Sequence, residues 1–277
     1  MLAELASQAP LALVLALLGA CFGSFLNLVA WRLPRQESIV RPPSHCTHCG
    51  TRLSWHENLP LLGWFLLRGR CRHCLRPIAS RYVLVEWLVA GLGMLTLVAR
   101  PAGLGPAADP LLVVLAGWLL IGWLIPLVLI DLDQLWLPEP LCRWGLLCGL
   151  AVTALVGGLQ GTASGSRLLL EHLLAAALGL LGFEATSWLA ARLFGRPALG
   201  LGDAKLAALI GAWLGPLGLG LAVAVAVVSG ALVGLLGRLS GRLSRQQAIP
   251  FGPFLGLGAL CLWWLGPAPL LRLLALG

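Results

Sequence analysis

The sequence predicts an all-α, polytopic membrane helix bundle of about eight transmembrane helices, with one polar loop carrying a four-cysteine metal site. Three observations lead there. Only 11% of the 277 residues are charged and 59% are hydrophobic, whereas a soluble domain carries roughly 25% charged residues. Apolar runs of about 20 residues recur along the chain, each long enough to cross a bilayer. The runs, 111–130 among them, do not alternate in polarity, so they are not β-barrel strands. A lone segment in lipid must close its own backbone hydrogen bonds, so each run is a helix.

Taken in order, the first apolar run lies near 10–30. The ten residues Met1–Pro10 hold Glu4 and no Lys or Arg. Without a basic leader or a small-residue cleavage site, the run reads as a retained span rather than a signal peptide. The predicted spans are 8–30, 82–99, 111–130, 141–158, 168–192, 204–215, 218–237 and 254–275, the sixth being short. Breakers separate them: Pro101 and Pro106, Pro138 and Pro140, the glycine-rich stretch 157–165, Pro197, Gly215 with Pro216, and Pro250 with Pro253. The resulting partition is a first transmembrane helix at 1–30, a polar loop at 31–81, and a membrane core at 82–277.

Basic residues orient the bundle. Nine arginines lie in the loop 31–81. Arg143, Arg192, Arg196, Lys205, Arg238, Arg242 and Arg245 fall on the same side, while only Arg100, Arg167 and Arg272 fall on the other. The heavily basic side is expected to be cytoplasmic, with both termini outside. The net charge of +8 is mostly this bias and suits anionic headgroups of membrane lipid. The basic residues are scattered among turns without a recognition motif, so no nucleic acid partner is expected.

The loop holds Cys46-Thr-His-Cys49 and Cys71-Arg-His-Cys74. Two CxxC pairs present four thiolates to one tetrahedral centre, the preference of Zn²⁺. A cytoplasmic loop is a reducing environment in which structural disulfides are uncommon. Cys46, Cys49, Cys71 and Cys74 are therefore the expected ligands of a structural zinc that folds a loop too small to build its own core. His45, His48, His56 and His73 are nearby substitutes that four cysteines make unnecessary. Cys21, Cys142, Cys148 and Cys261 lie in or beside apolar runs and read as packing residues.

Eleven acidic residues make each position informative. Asp131 and Asp133 end the third span, and Asp203 opens the sixth after Gly200-Leu-Gly202. Carboxylates at membrane depth are costly and usually functional. Singly, Asp131 and Asp133 also read as markers of a helix leaving the bilayer, and Asp203 as an N-cap. Together, two aspartates on different helices at one depth can converge on one water. At close range they do not both ionise readily, so one keeps a proton. The ionised group then serves as base towards the water, and the protonated one polarises a carbonyl and protonates the leaving amine. The titration belongs to the pair. These arguments alone leave Asp131 and Asp133 equally eligible.

Five blocks resemble the bacterial type IV prepilin peptidases, or leader peptidase/N-methyltransferases. They are Gly23-Ser24-Phe25-Leu26-Asn27-Leu28-Val29 with Arg32-Leu33-Pro34; the paired CxxC motifs enclosing Trp55-His56-Glu57-Asn58-Leu59-Pro60-Leu61; Arg81-Tyr82 with Leu84-Val85-Glu86; Leu129-Ile130-Asp131-Leu132-Asp133 with Leu137-Pro138; and Gly200-Leu201-Gly202-Asp203-Ala204-Lys205 with Ile249-Pro250-Phe251-Gly252-Pro253. The resemblance implies that the chain removes the basic leader from prepilins and pseudopilins before a phenylalanine, then methylates the new amine with S-adenosylmethionine. It implies Asp131 and Asp203 as the catalytic pair, a bacterial inner-membrane location, and an association of the cysteine loop with methylation and metal. Gln134-Leu135 stands where the family often has His-Gln, and Glu139 replaces an aspartate.

The residues themselves say less about methyl transfer. No G-x-G-x-x-G lies between a strand and a helix. The strings Gly91-Leu-Gly93 and Gly218-Leu-Gly220 fall inside apolar spans and read as helix-packing sites. A cofactor site near the loop, around Gly69, follows from the resemblance only. Glu57 and Glu86 are candidate partners of a basic leader or new amine, with a simple Glu86–Arg81 helix-face pair as the alternative. Two other readings stay open: a peptidase without methylation, and a carrier or channel with a zinc docking loop.

Overall fold

The computed structural model describes residues 8–104, 108–195, 199–244 and 247–275. Pro106, Pro197, Arg196 and Arg245, used above as breakers and orienting charges, lie outside these. The described residues form helices and two isolated β-bridges. They fall into two compact units, Met1–Val98 and Ala99–Gly277.

The first unit holds α1 (Ala9–Arg32), the short α2 (Leu62–Leu66) and α3 (Arg81–Leu95), with 3-10 turns at Leu33–Arg35 and Thr96–Val98. α1 and α3 approach closely because glycine faces backbone: a Cβ on Gly19 would lie 2.6 Å from the Val89 carbonyl oxygen. Asn27, 1% exposed, donates from Nδ2 to the Gly23 and Tyr82 carbonyls at 3.2 Å each. In lipid no tail competes for such a donor, so it fixes the pairing of the two helices. α3 thus packs with α1 and the cysteine loop.

The second unit comprises α4 (Pro110–Gln134), α5 (Glu139–Leu159), α6 (Thr162–Phe194), α7 (Leu201–Leu239), α8 (Gly252–Leu265) and α9 (Ala268–Ala275). Asp109 caps α4 by accepting from the Leu111 and Leu112 amides. Along α6 and α7, Gly179 abuts the Ala207 carbonyl and Gly211 the Ala175 carbonyl, each closer than a Cβ would allow. The small-residue stripe was expected at 91–93 and 218–220. There, Gly91 and Gly220 face open space, while Gly93 is buried and Gly218 packs against Ala102.

Six described helices are long and apolar enough to cross a membrane, among them Leu201–Leu239. At 1.5 Å per residue, its 39 residues would span roughly 58 Å, about twice a bilayer core. The helix is in fact broken at Gly215, whose φ of 67° and ψ of −175° are not helical. Its first arm runs along α8: the charge on Asp203 reaches Asp131, which accepts the amide of Gly252 at the start of α8, and Trp213 packs edge-on against Trp263 near the end. Its second arm runs back, with Phe254 against Gly230 and Ile249 against Gly234. The predicted spans 204–215 and 218–237 are these two arms. The predicted span 254–275 is likewise interrupted, because Gly266 takes a φ of 69° and α8 ends at Leu265.

Pro216 has no N–H to donate to the Ala212 carbonyl four residues earlier. Two buried side chains fill that vacancy. His172 Nδ1 lies 2.9 Å from the Ala212 oxygen, and the Thr153 hydroxyl donates to it at 3.3 Å. Both residues are 1% exposed. This placement puts the ring proton on Nδ1.

Candidate active site and metal centre

Asp131 lies in the last turn of α4 and is 5% exposed, whereas Asp133, two residues on, is exposed. The turn ends at Leu135, in the left-handed conformation with φ 52°. Asp131 Oδ2 accepts the Gly252 amide at 2.9 Å. Gly252 is the first residue of α8, so a buried carboxylate sits at the positive end of another helix. A Cβ on residue 252 would lie 2.6 Å from Oδ2, so glycine leaves the carboxylate room to reach the amide.

Asp203 is the third residue of α7 and half-buried. It is not the N-cap; its Oδ2 reaches back to accept the amide of the capping residue Gly200 at 3.1 Å, the carboxylate half of a capping box. The two aspartates are close enough for the charge on Asp203 to act on Asp131. In each, Oδ2 takes a backbone N–H, leaving Oδ1 unengaged among the described residues.

The segments bearing the pair are pinned together. Lys205 Nζ donates to Glu139 Oε2 at 2.8 Å, tying the first turn of α7 to the first turn of α5. Gly202 packs on Leu137, where a Cβ would lie 3.0 Å from the leucine Cβ. Glu139 is therefore a structural partner of Lys205. Gly252, His172 and the Glu139–Lys205 pair received no role from sequence reasoning. An ionisable residue in mid-span was the available signal for His172.

In the cysteine loop the sulfurs of Cys46, Cys49, Cys71 and Cys74 all lie within 4.8 Å of one another. Cys46 and Cys74 are 3.8 Å apart, and Cys49 and Cys71 3.9 Å. A tetrahedral zinc with Zn–S bonds of about 2.3 Å has sulfur–sulfur edges of about 3.8 Å, so the donor set fits. These separations are far beyond a disulfide bond of about 2.05 Å. The two knuckles match: Cys46 N–H donates to Thr51 and Gly50 N–H returns to Cys46, while Cys71 N–H donates to Arg76 and Leu75 N–H returns to Cys71. Gly50 and Leu75 take the same left-handed turn, with φ 70° and 57°. A hydrogen bond with the Thr51 side chain lowers the Cys49 thiol to about 6, and the Cys74 and His73 amides lower Cys71. The neighbouring histidines bond elsewhere, His48 with Arg76 and His56 with Arg72.

Glu57 and Glu86 are 7% and 8% exposed. Glu57 accepts the Ser54 amide at 2.8 Å, which holds its carboxyl below the usual range. Glu86 accepts the Leu61 amide at 2.7 Å.

The model of the bacterial peptidase A24 N-terminal domain matches residues 17–100, and that of the type IV leader peptidase family matches 118–235. A prepilin leader peptidase/N-methyltransferase of Myxococcus xanthus is 39% identical over 87% of this chain and 69% of its own. A type 4 prepilin-like proteins leader peptide-processing enzyme of Escherichia coli is 34% identical over 94% of this chain and 97% of its own. A prepilin leader peptidase/N-methyltransferase of Dickeya chrysanthemi is 37% identical over 88% and 89%. No solved structure matches the chain.

Proposed function

This chain belongs to the type IV leader peptidase family, and from that premise we propose that Asp131 and Asp203 are its catalytic pair, cutting the leader from prepilins or pseudopilins. The observation that carries the reading is the pair itself: two carboxylates on separate helices, the charge on Asp203 reaching Asp131, each anchored through Oδ2. The ionised aspartate takes a proton from water as the water oxygen bonds to the scissile carbonyl carbon. The protonated one donates to the carbonyl oxygen. When the C–N bond breaks, a proton passes to the leaving amine. The pair shares these duties, so neither role is assigned to one residue.

The chain is read as an inner-membrane protein with eight crossings: α1, α3, α4, α5, α6, the two arms of α7, and α8. Sixteen of nineteen basic residues then lie on the cytoplasmic side, together with both aspartates and the cysteine loop. A prepilin N-terminus, an apolar helix with a basic leader in the cytoplasm, meets catalytic groups at that boundary. Cys46, Cys49, Cys71 and Cys74 would hold a structural Zn²⁺. The methyltransferase activity in the relatives' names supports a second step in residues 31–81 with neighbouring helices. S-adenosylmethionine, where bound, would supply an electrophilic methyl group for the new amine.

A leader-bearing prepilin incubated with purified protein in detergent tests the reading. The wild type shortens it, and Asp131→Asn or Asp203→Asn abolishes shortening. Full cleavage by both variants sinks the mechanism. Transfer of label from methyl-labelled S-adenosylmethionine to the cleaved product tests the second step.

A further inference from the structure

Glu184 is the one charged residue between His172 and Arg192 in α6, a helix long and apolar enough to cross a membrane. It is exposed, and it forms no hydrogen bond or ion pair among the described residues. A carboxylate so placed is costly against lipid and calls for a partner.

Three contacts fix its depth. Gly179 meets the Ala207 carbonyl, Gly211 meets the Ala175 carbonyl, and Ser187 Oγ donates to the Leu199 carbonyl at 2.7 Å. They hold α6 and the first arm of α7 in one antiparallel register, in which Phe183 stands opposite Asp203 and Glu184 opposite Gly202. The same turn of α6 also meets the support of the other aspartate. The Phe183 and Phe251 ring centres are 6.3 Å apart, and Phe251 precedes Gly252, whose amide holds Asp131. Glu184 is thus level with the two aspartates, on a third helix. Cations on the neighbouring elements are placed elsewhere. Lys205 bonds to Glu139, and Arg143 lies over the Trp144 ring. Arg192, eight residues beyond Glu184 and about 12 Å along the helix, lies 4.4 Å over the centre of the Trp188 ring. Arg238 belongs to the last turn of α7.

We infer that Glu184 reads the positive charge of the substrate, pairing with a basic side chain of the leader beside the bond that is cut. The inference rests on the leader-cleaving function proposed above and adds a residue that selects the substrate. A scissile bond held between Asp131 and Asp203 brings the end of the leader to the level of Glu184. At that depth a charge pair is screened less by water than at an open surface, so it discriminates more strongly. Glu57 and Glu86, the candidates for this role in the sequence, are instead buried on the Ser54 and Leu61 amides. Glu184 meets the leader rather than the reacting atoms, so its loss acts on substrate affinity.

The test is a set of cleavage rates for the whole purified protein in detergent, with prepilins that differ only in the leader. One leader is basic, one has each Lys and Arg changed to Gln, and one has each changed to Glu. The wild type should show its lowest KM for the basic leader. Glu184→Gln should raise that KM about ten-fold, the contribution of one hydrogen bond to a charged group, with kcat near the wild-type value and with little change on the neutral leader. Glu184→Lys should cut the acidic leader better than the wild type does, a gain that a misfolded variant cannot give. Glu171→Gln removes an exposed charge from the first half of the same helix and should behave as the wild type on all leaders. Equal losses for Glu184→Gln on the basic and neutral leaders would show a structural role and overturn the inference. No loss on the basic leader overturns it too, and leaves Glu184 facing a lipid headgroup. Cleavage that the aspartate variants abolish but that is indifferent to residue 184 overturns this inference alone. Absence of any cleavage by the wild type overturns the leader-cleaving function and this inference together.

Discussion

Replacing Gly252 by alanine tests the active site most narrowly. The added methyl would sit 2.6 Å from Asp131 Oδ2 and 3.2 Å from its Cγ. Both atoms belong to the end of a side chain that can rotate away, so the fold survives while the carboxylate leaves the Gly252 amide. A hydrogen bond to a charged group contributes about 1.5–3 kcal/mol. At 1.36 kcal/mol per decade, its loss from the reacting arrangement lowers the cleavage rate about 10- to 150-fold. The assay is the rate of prepilin shortening at saturating substrate, with thermal melting alongside. Gly256→Ala, one turn further along α8, is the matched control: its Cβ would meet a Val128 methyl at the same 2.6 Å, a packing conflict without a carboxylate. Melting should fall comparably in both variants, and turnover should collapse only in Gly252→Ala. Wild-type turnover in Gly252→Ala would refute the role given to the Gly252 amide in positioning Asp131.

Other expectations follow from the same geometry. Cys46→Ser and Cys71→Ser should each lower zinc from one per chain to near zero by elemental analysis; near-zero metal in the wild type refutes the site. His172→Phe leaves the Ala212 carbonyl with only the Thr153 hydroxyl, a loss of about 1–3 kcal/mol, and the melting temperature should drop by several degrees; an unchanged melt argues against the repair of the broken helix. Lys205→Met removes an ion pair whose side chains are 37% and 61% exposed. Such exposed, screened pairs contribute little, so turnover should fall only a few-fold, and a complete loss would place Lys205 in the chemistry.

Parts of this were legible in the sequence because they depend on local spacing. The CxxC pairs announce a four-sulfur centre by composition alone. Gly215 with Pro216 marks the reversal in α7, although a helix-only reading joins the two arms into one. The choice of Asp131 over Asp133 was not legible from charge, since the two stand two residues apart at one helix end. The structure separates them by burial and by the amide of Gly252, a contact spanning 121 residues that no periodicity encodes. Glu86 leaves two readings open in the sequence, a basic substrate group or Arg81 on its own helix; the Leu61 amide that it accepts comes from a loop whose path depends on how the knuckles fold. His172 looked like one polar residue in an apolar run, and its purpose depends on a proline 44 positions later.

That 121-residue contact also bears on how the enzyme is made. Chains emerge from the ribosome amino end first, so both aspartates enter the membrane before the segment that supplies the Gly252 amide. On the proposed reading, a nascent chain carries Asp131 and Asp203 without the donor that holds Asp131, and should not cut until its last helices insert. Two-piece expression exposes this timing. A chain stopped after Ser240 should not cut prepilin, and co-expressed 247–277 should restore cutting. Activity in the truncated chain alone would show that the pair needs no such completion.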